Sequence, residues 1–324
     1  MITKKIFDRV LIEPAVSGAD KLYIVSGYAT SAMAFHHLSI LQNEYETDIQ
    51  VRLIVGMCPN DGLSISNHRG FQQLARDEFP GNFECSYIMK PPSVHSKVYA
   101  WFKDDLPICG FAGSANYTQN AFHSLQHEAL SDCKAEDVFA YFKSLSGDTI
   151  YCTHNEAENF ILLYNDRYYA RKEKYYEESV RHKNEIPSYL YGLSSVKTSL
   201  LTRKGTVGER SGLNWGQRPG RDPNQAYIGL TSEIYRTDFF PKRTIHFTVL
   251  TDDNKVLICT RAQDNAKAIH TPHRNSDIGE YFRRRLGVPS GDAVNLEDLI
   301  KYGRADVDFY KIDNETYFMD FSVS

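Results

Sequence analysis

Nowhere in the 324 residues is there a run of the roughly 18 apolar side chains that a membrane-spanning helix needs. The opening segment, MITKKIFDRVLIEP, has no apolar secretory core and no cleavage site, so a cytoplasmic protein is expected. Cysteine pairs at metal-ligand spacing are missing too. Cys58, Cys85, Cys109, Cys133, Cys152 and Cys259 are scattered without a CxxC, which argues against a disulfide framework or a zinc knuckle. His36-His37 and His123/His127 have no third ligand nearby in sequence, and no metal site is expected. No GxxxxGK[ST] occurs, so the chain supplies no ATPase and no cofactor of its own is expected. A basic excess is missing as well: the net charge of −4 is discouraging for a nucleic-acid partner, because proteins that neutralise many phosphates usually carry one on the binding module.

What is present is length and a split in charge. At 324 residues and 42% hydrophobic, the chain exceeds what one core usually organises, so two domains are expected. Residues 1–182 carry 17 Lys and Arg against 23 Asp and Glu, and residues 183–286 carry 17 against 10. The +7 excess of that second segment is where an anionic partner would sit.

The first half alternates β-rich runs with helical stretches. Strands are expected at 22–25 and 51–55, each ended by glycine, then at 83–89, 97–102, 108–112 and 126–130. Helices are expected at 32–46, 67–78 and 135–145, which together give an α/β layer architecture over residues 1–160. Residues 161–186 are rich in tyrosine and in both charge signs and have no glycine; they read as a connecting helix, or as a peripheral helix of the first domain. From 187 to 324 the pattern turns to strands, at 196–201, 226–231, 244–250, 255–260, 266–271, 305–311 and 315–322, with helices only at 276–286 and 294–301. A mostly antiparallel β-barrel or pseudo-barrel follows. The stretch 205–224, GTVGERSGLNWGQRPGRDPN, is expected to hold no regular element and is too long for a passive turn.

Chemistry concentrates in His95-Ser96-Lys97 and Gly113-Ser114-Ala115-Asn116. An alternating strand would put His95 and Lys97 on one face, and Gly113 would allow a tight turn carrying the Ser114 hydroxyl and the Asn116 amide. One cation, neutral donors and an imidazole nucleophile make a phosphate pocket. The HxK and GSxN motifs, one strand apart, resemble the phospholipase D superfamily, whose fold would cover about residues 1–160. The resemblance implies that His95 attacks phosphorus, that Lys97, Ser114 and Asn116 hold the non-bridging oxygens, and that Glu128, in a strand-like run, orients the histidine. It implies a phosphohistidine, no metal, and a second motif from another copy across a homodimer interface, because the motif occurs once here. Where many members carry an aspartate five residues beyond the lysine, this chain has Phe102, with Asp104 and Asp105 close by.

The basic segment offers two polar arms. Arg203, Lys204, Arg210, Asn214, Gln217, Arg218, Arg221 and Asn224 make the first; Arg261, Gln263, Asp264, Asn265, Arg274 and Asn275 make the second. These are residue types that pair with base edges or grip phosphates. This half resembles B3-like DNA-recognition domains. The whole chain, with SDIGEYFRRRLGV (276–288) and RPGRDPNQAYIGL (218–230), resembles the NgoFVII/NgoAVII group of restriction endonucleases. That resemblance implies a site-specific, type II-like endonuclease acting on double-stranded DNA, a cognate methyltransferase, and a separate ATP-dependent helicase-like subunit as a candidate requirement for cleavage. Two other readings stay open: a phospholipid phosphodiesterase using the same pocket, and a DNA-binding module whose nuclease fold is inactive.

Overall fold

The two β-branched runs that end at Gly27 and Gly56 become neighbouring central strands, β1 (Lys21–Ser26) and β2 (Gln50–Val55), paired in parallel. The computed structural model describes residues 1–123, 126–164 and 192–323, and separates into two units, Met1–Asn165 and Asp166–Ser324. In the first unit the other strands are β3 (Leu63–Ser64), β4 (Phe83–Ile88), β5 (Lys97–Lys103), β6 (Leu106–Gly113), β7 (Leu130–Cys133), β8 (Thr149–Tyr151) and β9 (Leu163–Tyr164). Seven of them form one mixed sheet in the order β7-β6-β5-β1-β2-β4-β8, while β3 and β9 pair separately. Within this sheet only β1 with β2 and β2 with β4 pair in parallel; β5 lies antiparallel to β1. Residues 126–129 are irregular, so the strand expected at 126–130 begins only at Leu130. Residues 161–164 are extended and not helical; the rest of the proposed connecting helix lies outside the described residues.

The helix Ser31–Tyr45 shows why its hydrophobic pattern is weak. Its start is capped by the Thr30 hydroxyl, which accepts from the Met33 N–H, and it is buried on nearly every side. Even His36 and His37 are buried. His37 Nε2 donates to the Leu11 carbonyl at 3.0 Å, because that oxygen can only accept, and Nδ1 takes the Tyr117 hydroxyl at 2.8 Å. Burial pushes the His37 pKa down to about 4.

A pH dependence follows. Between 6.5 and about 4 the unfolded chain binds a proton at this histidine that the folded chain does not, so stability falls as pH drops through that window. The full effect is on the order of 3 kcal/mol. A melting series from pH 7 to pH 4 is expected to show it, and His37→Gln, which keeps a donor and an acceptor, to flatten the decline. An unchanged slope in that variant would count against His37 as the source.

The second unit contains all seven expected strands, most of them shorter: β10 (Ser195–Ser199), β11 (Ile228–Gly229), β12 (Phe247–Thr251), β13 (Val256–Ala262), β14 (Ala268–His270), β15 (Asp306–Lys311) and β16 (Thr316–Asp320). They form one sheet in the order β10-β15-β16-β12-β13-β14-β11, antiparallel except for β12 beside β16. The sheet curls until its edges nearly meet, and the Thr198 hydroxyl on β10 donates to the Gly229 carbonyl on β11 at 2.6 Å. Phe240, Phe247, Phe309 and Tyr317 fill the interior, with ring centroids 5.1 to 5.6 Å apart. The helices Asp277–Leu286 and Leu296–Tyr302 form as expected, the second started by a reciprocal Asn295/Asp298 cap. The 205–224 stretch is not wholly irregular: a 3-10 helix spans Gly212–Gln217, and a short helix, Ser232–Tyr235, follows further on. Among the described residues no helix is long and apolar enough to cross a membrane.

Candidate active site and candidate nucleic-acid interface

Three strand ends converge at one edge of the first sheet. Ser26 closes β1 opposite Lys97, which opens β5, and Val98 pairs with Ala112 near the end of β6. The strand begins at Lys97, so His95 lies in the extended segment leading into it and not within an alternating strand. The two side chains nevertheless share a face, and Gly27 explains how. A Cβ at Gly27 would stand 3.0 Å from His95 Cδ2 and 3.4 Å from Lys97 Nζ, so both pass over the bare backbone of this glycine. Lys97 is buried, its Nζ donating to the His95 carbonyl at 2.6 Å, whereas His95 is exposed. Burial lowers the Lys97 pKa, opposed by the Glu128 carboxylate.

Gly113 plays a different part from the tight turn expected. It ends β6 with ordinary backbone angles, paired with Leu130, and a Cβ there would fall 2.1 Å from the Ala129 carbonyl. Glycine is needed because the incoming strand passes so close. Ser114 then sits against residues 128–129: its hydroxyl donates to the Glu128 carboxylate and accepts the Ala129 N–H at 3.0 Å. Glu128 therefore lies in a loop and holds Ser114; no hydrogen bond joins it to His95. Asn116 is oriented by the backbone. The Tyr28 N–H, which can only donate, points at Asn116 Oδ1 at 3.1 Å and so identifies the oxygen. Its Nδ2 is left without a protein partner among the described residues and is available to an anion.

Phe102 occupies the position where many phospholipase D members have aspartate, and it belongs to the apolar interior. It is buried, edge-on to Tyr23 at 5.5 Å and beside Phe139 at 5.1 Å. Asp104 and Asp105 do not take over. They form the β5–β6 turn at the far end of β5 from Lys97, roughly 20 Å away by strand length, and Asp105 binds Lys21 at 2.6 Å. The histidine pairs also rearrange. His123 ends a four-residue helix and His127 lies outside it, so the two share no helix face. His123 Nε2 instead meets His36 Nε2 at 2.8 Å, with Phe7 against both rings. Among the described residues no group of three His, Cys, Asp or Glu side chains could hold a metal ion.

Sequence reasoning missed Ser26, Gly27 and Tyr28. Gly27 was legible only as a strand terminator, and nothing in the local sequence marked its place beside the HxK segment.

In the second unit the arm residues divide by burial. Asn214 is buried, with Nδ2 on the Gly208 and Val294 carbonyls at 3.1 and 2.8 Å and Oδ1 on the Val294 N–H at 2.8 Å. Gln217 donates to the Pro223 and Gly291 carbonyls, and Asn224 is held between Ser290 and the Gly291 N–H. Arg261 is buried, spent on the Ala266, Tyr235 and Pro241 carbonyls, and burial lowers its pKa. The Asn275 carboxamide oxygen pairs with His270 Nδ1 at 2.8 Å. These five side chains build the loops, so they are poorly placed to read bases. Arg203, Lys204, Arg210, Arg218, Arg221, Asp264, Asn265 and Arg274 are exposed, and Gln263 is partly so. Arg221 is the most ordered of them: its guanidinium lies 4.1 Å from the Trp215 ring centroid and donates to Gln225 Oε1 at 2.9 Å. Arg283, in the last turn of the helix Asp277–Leu286, is buried at 1% exposure.

No curated protein matches the chain. Solved structures that resemble part of it include NucT from Helicobacter pylori, 21% identical over 43% of this chain and 87% of that one with a TM-score of 0.30. Another is Nuc, a phospholipase D family member from Salmonella typhimurium, 15% identical over 42% and 85% of the two chains with a TM-score of 0.32. Two family matches cover most of the length: the NgoFVII restriction endonuclease N-terminal PLD domain at residues 4–159, and the NgoFVII C-terminal B3-like DNA-binding domain at residues 188–313. Both domains in this order, with the HxK and GSxN segments inside the first and the polar arms inside the second, make the chain a member of the NgoFVII restriction endonuclease family.

Proposed function

We propose that the protein is a site-specific endonuclease that hydrolyses DNA phosphodiester bonds through a phosphohistidine and without a metal ion. The observation that carries this reading is the meeting of exposed His95 and buried Lys97 over Gly27, with Asn116 Nδ2 left without a partner among the described residues. His95 attacks phosphorus and the P–O bond to the leaving oxygen breaks. Lys97, Ser114 and Asn116 stabilise the added negative charge, as fixed donors do in a transition state of this kind. A second histidine protonates the leaving oxygen and then takes a proton from the water that releases the phosphate. The HxK motif occurs once, so that histidine is assigned to a second copy, with one centre at a homodimer interface. Glu128 holds Ser114 in the resting site.

Double-stranded DNA is the substrate, read by the exposed side chains of the two arms: Arg203, Lys204, Arg210, Arg218 and Arg221 on one, and Gln263, Asp264, Asn265 and Arg274 on the other. A cognate methyltransferase would protect host DNA, and a helicase-like ATPase would be a separate subunit acting in the same cytoplasm.

Supercoiled plasmid DNA incubated with the protein in excess EDTA tests this. Discrete fragments are expected. Loss of cleavage on adding EDTA would overturn the metal-free mechanism, and a smear would overturn site specificity. Selective binding without cleavage would favour the binding module or point to a missing subunit, which adding the candidate ATPase with ATP would distinguish.

A further inference from the structure

His95 is exposed, and among the described residues its imidazole has no hydrogen-bond partner, yet a nucleophile must present one ring nitrogen in line with the leaving oxygen. The geometry points to Tyr28 as the residue that positions it, with Asp61 as the support for Tyr28. This inference rests on the assignment of His95 as nucleophile. The Tyr28 ring stands edge-on to the His95 imidazole, centroids 5.9 Å apart at 82°. The phenol at the other end of Tyr28 donates to the Asp61 carboxylate. Asp61 is itself fixed: its N–H donates to the Met57 carbonyl at 3.0 Å, and the Met57 N–H donates to the Gly27 carbonyl at 2.9 Å.

Gly27 precedes Tyr28, so the contacts close into a ring, from Gly27 through Met57 and Asp61 back to Tyr28. Such a ring holds the phenol plane against rotation from both ends. Through its backbone N–H, Tyr28 also fixes the Asn116 carboxamide. One residue thus sets the attacking ring with its side chain and a phosphate donor with its main chain. Because the second contact uses only the backbone, side-chain substitutions separate the two.

Tyr28→Leu removes the ring, Tyr28→Phe keeps it and removes the bond to Asp61, and Asp61→Asn keeps an acceptor oxygen that Asp61→Ala lacks. Single-turnover cleavage, acid-quenched trapping of phosphoenzyme and DNA affinity would be measured for each, with His95→Ala alongside and folding followed by melting temperature. Tyr28→Leu is expected to slow phosphoenzyme formation by about 30- to 100-fold with DNA affinity held within about 2-fold, since no base or phosphate contact is lost. Tyr28→Phe and Asp61→Ala should each lose about 5- to 10-fold, and their combination no more than either, because each opens the same ring. Asp61→Asn should restore most of the rate.

Phosphoenzyme formation at the wild-type rate in Tyr28→Leu would overturn the proposal. So would a loss expressed wholly in DNA affinity, or multiplying effects of Tyr28→Phe and Asp61→Ala. The isosteric phenylalanine and asparagine variants keep the test decisive if the leucine variant is unstable. Cleavage by His95→Ala would instead remove the underlying assignment of the nucleophile, an outcome that the trapping assay separates from a failure of Tyr28.

Discussion

His95→Ala is expected to cut cognate DNA slower than wild type by on the order of 10³-fold or more while still binding it. The reason is the division of labour at the pocket. Lys97 and the Asn116 amide can attract a phosphate without His95, because Lys97 enters from β5 and Asn116 is held through Tyr28. Neither can form the bond to phosphorus. Removing the imidazole also opens space above Gly27 without leaving a buried group unpaired, so the fold should be undisturbed. Gel-shift affinity and melting temperature close to wild type, together with lost cleavage, are the expected pattern. Equal cleavage by the variant would exclude His95 from the chemistry.

The second large effect is expected far from that site in sequence, at Arg283. Its guanidinium donates to the carbonyls of Asp292, Gly279, Leu213 and Pro223 at 2.8, 3.3, 3.3 and 3.2 Å. Burial lowers its pKa, opposed by Asp222, Asp292 and Glu280, and an arginine keeps its charge under such a shift. The helix Asp277–Leu286 thereby ties together the middle of the first arm, its end and the loop after the helix. Gly279 makes room for this: a Cβ there would fall 1.8 Å from the Asn224 carbonyl. Arg283→Met fills much of the volume but withdraws the guanidinium from four carbonyls, of which that of Pro223 keeps Gln217 as a donor. A loss of about 3–5 kcal/mol in the stability of this unit is expected, with DNA binding weakened through disorder of the arm, since Arg283 has no exposed surface to offer a base. Unfolding followed by tryptophan fluorescence would report it, because Trp215 lies in that arm and Trp101 in the other unit. An unchanged melting profile would refute this account of Arg283.

Much of the architecture was legible because local pattern decides it. The β-branched runs at 22–25 and 51–55 read as buried strands, and seven strand-like segments with few helices in the second half pointed to a barrel or pseudo-barrel. HxK and GSxN were legible because their spacing encodes a shared pocket. What pattern could not reveal was burial. Asn214, Gln217, Asn224 and Arg261 have the same donors as a base-reading side chain, and only the fold shows those donors already engaged, by backbone carbonyls or, for Asn224, by the Ser290 hydroxyl. Glu128 was misplaced for a related reason: the strand expected at 126–130 begins only at Leu130, and residues 126–129 form a loop in which Glu128 reaches Ser114. Tyr28 and Asp61 had no signature, since their partnership spans 33 residues and depends on two backbone bonds.

The division within the first arm has an evolutionary consequence. Its shape is encoded by side chains that bond its backbone, Asn214, Gln217, Arg218, Asn224 and the distant Arg283, while Arg203, Lys204 and Arg210 are exposed on a backbone already determined. Substitutions in the outward set should carry little penalty in folding. A lineage could therefore change these outward residues by single substitutions, each passing through a folded intermediate.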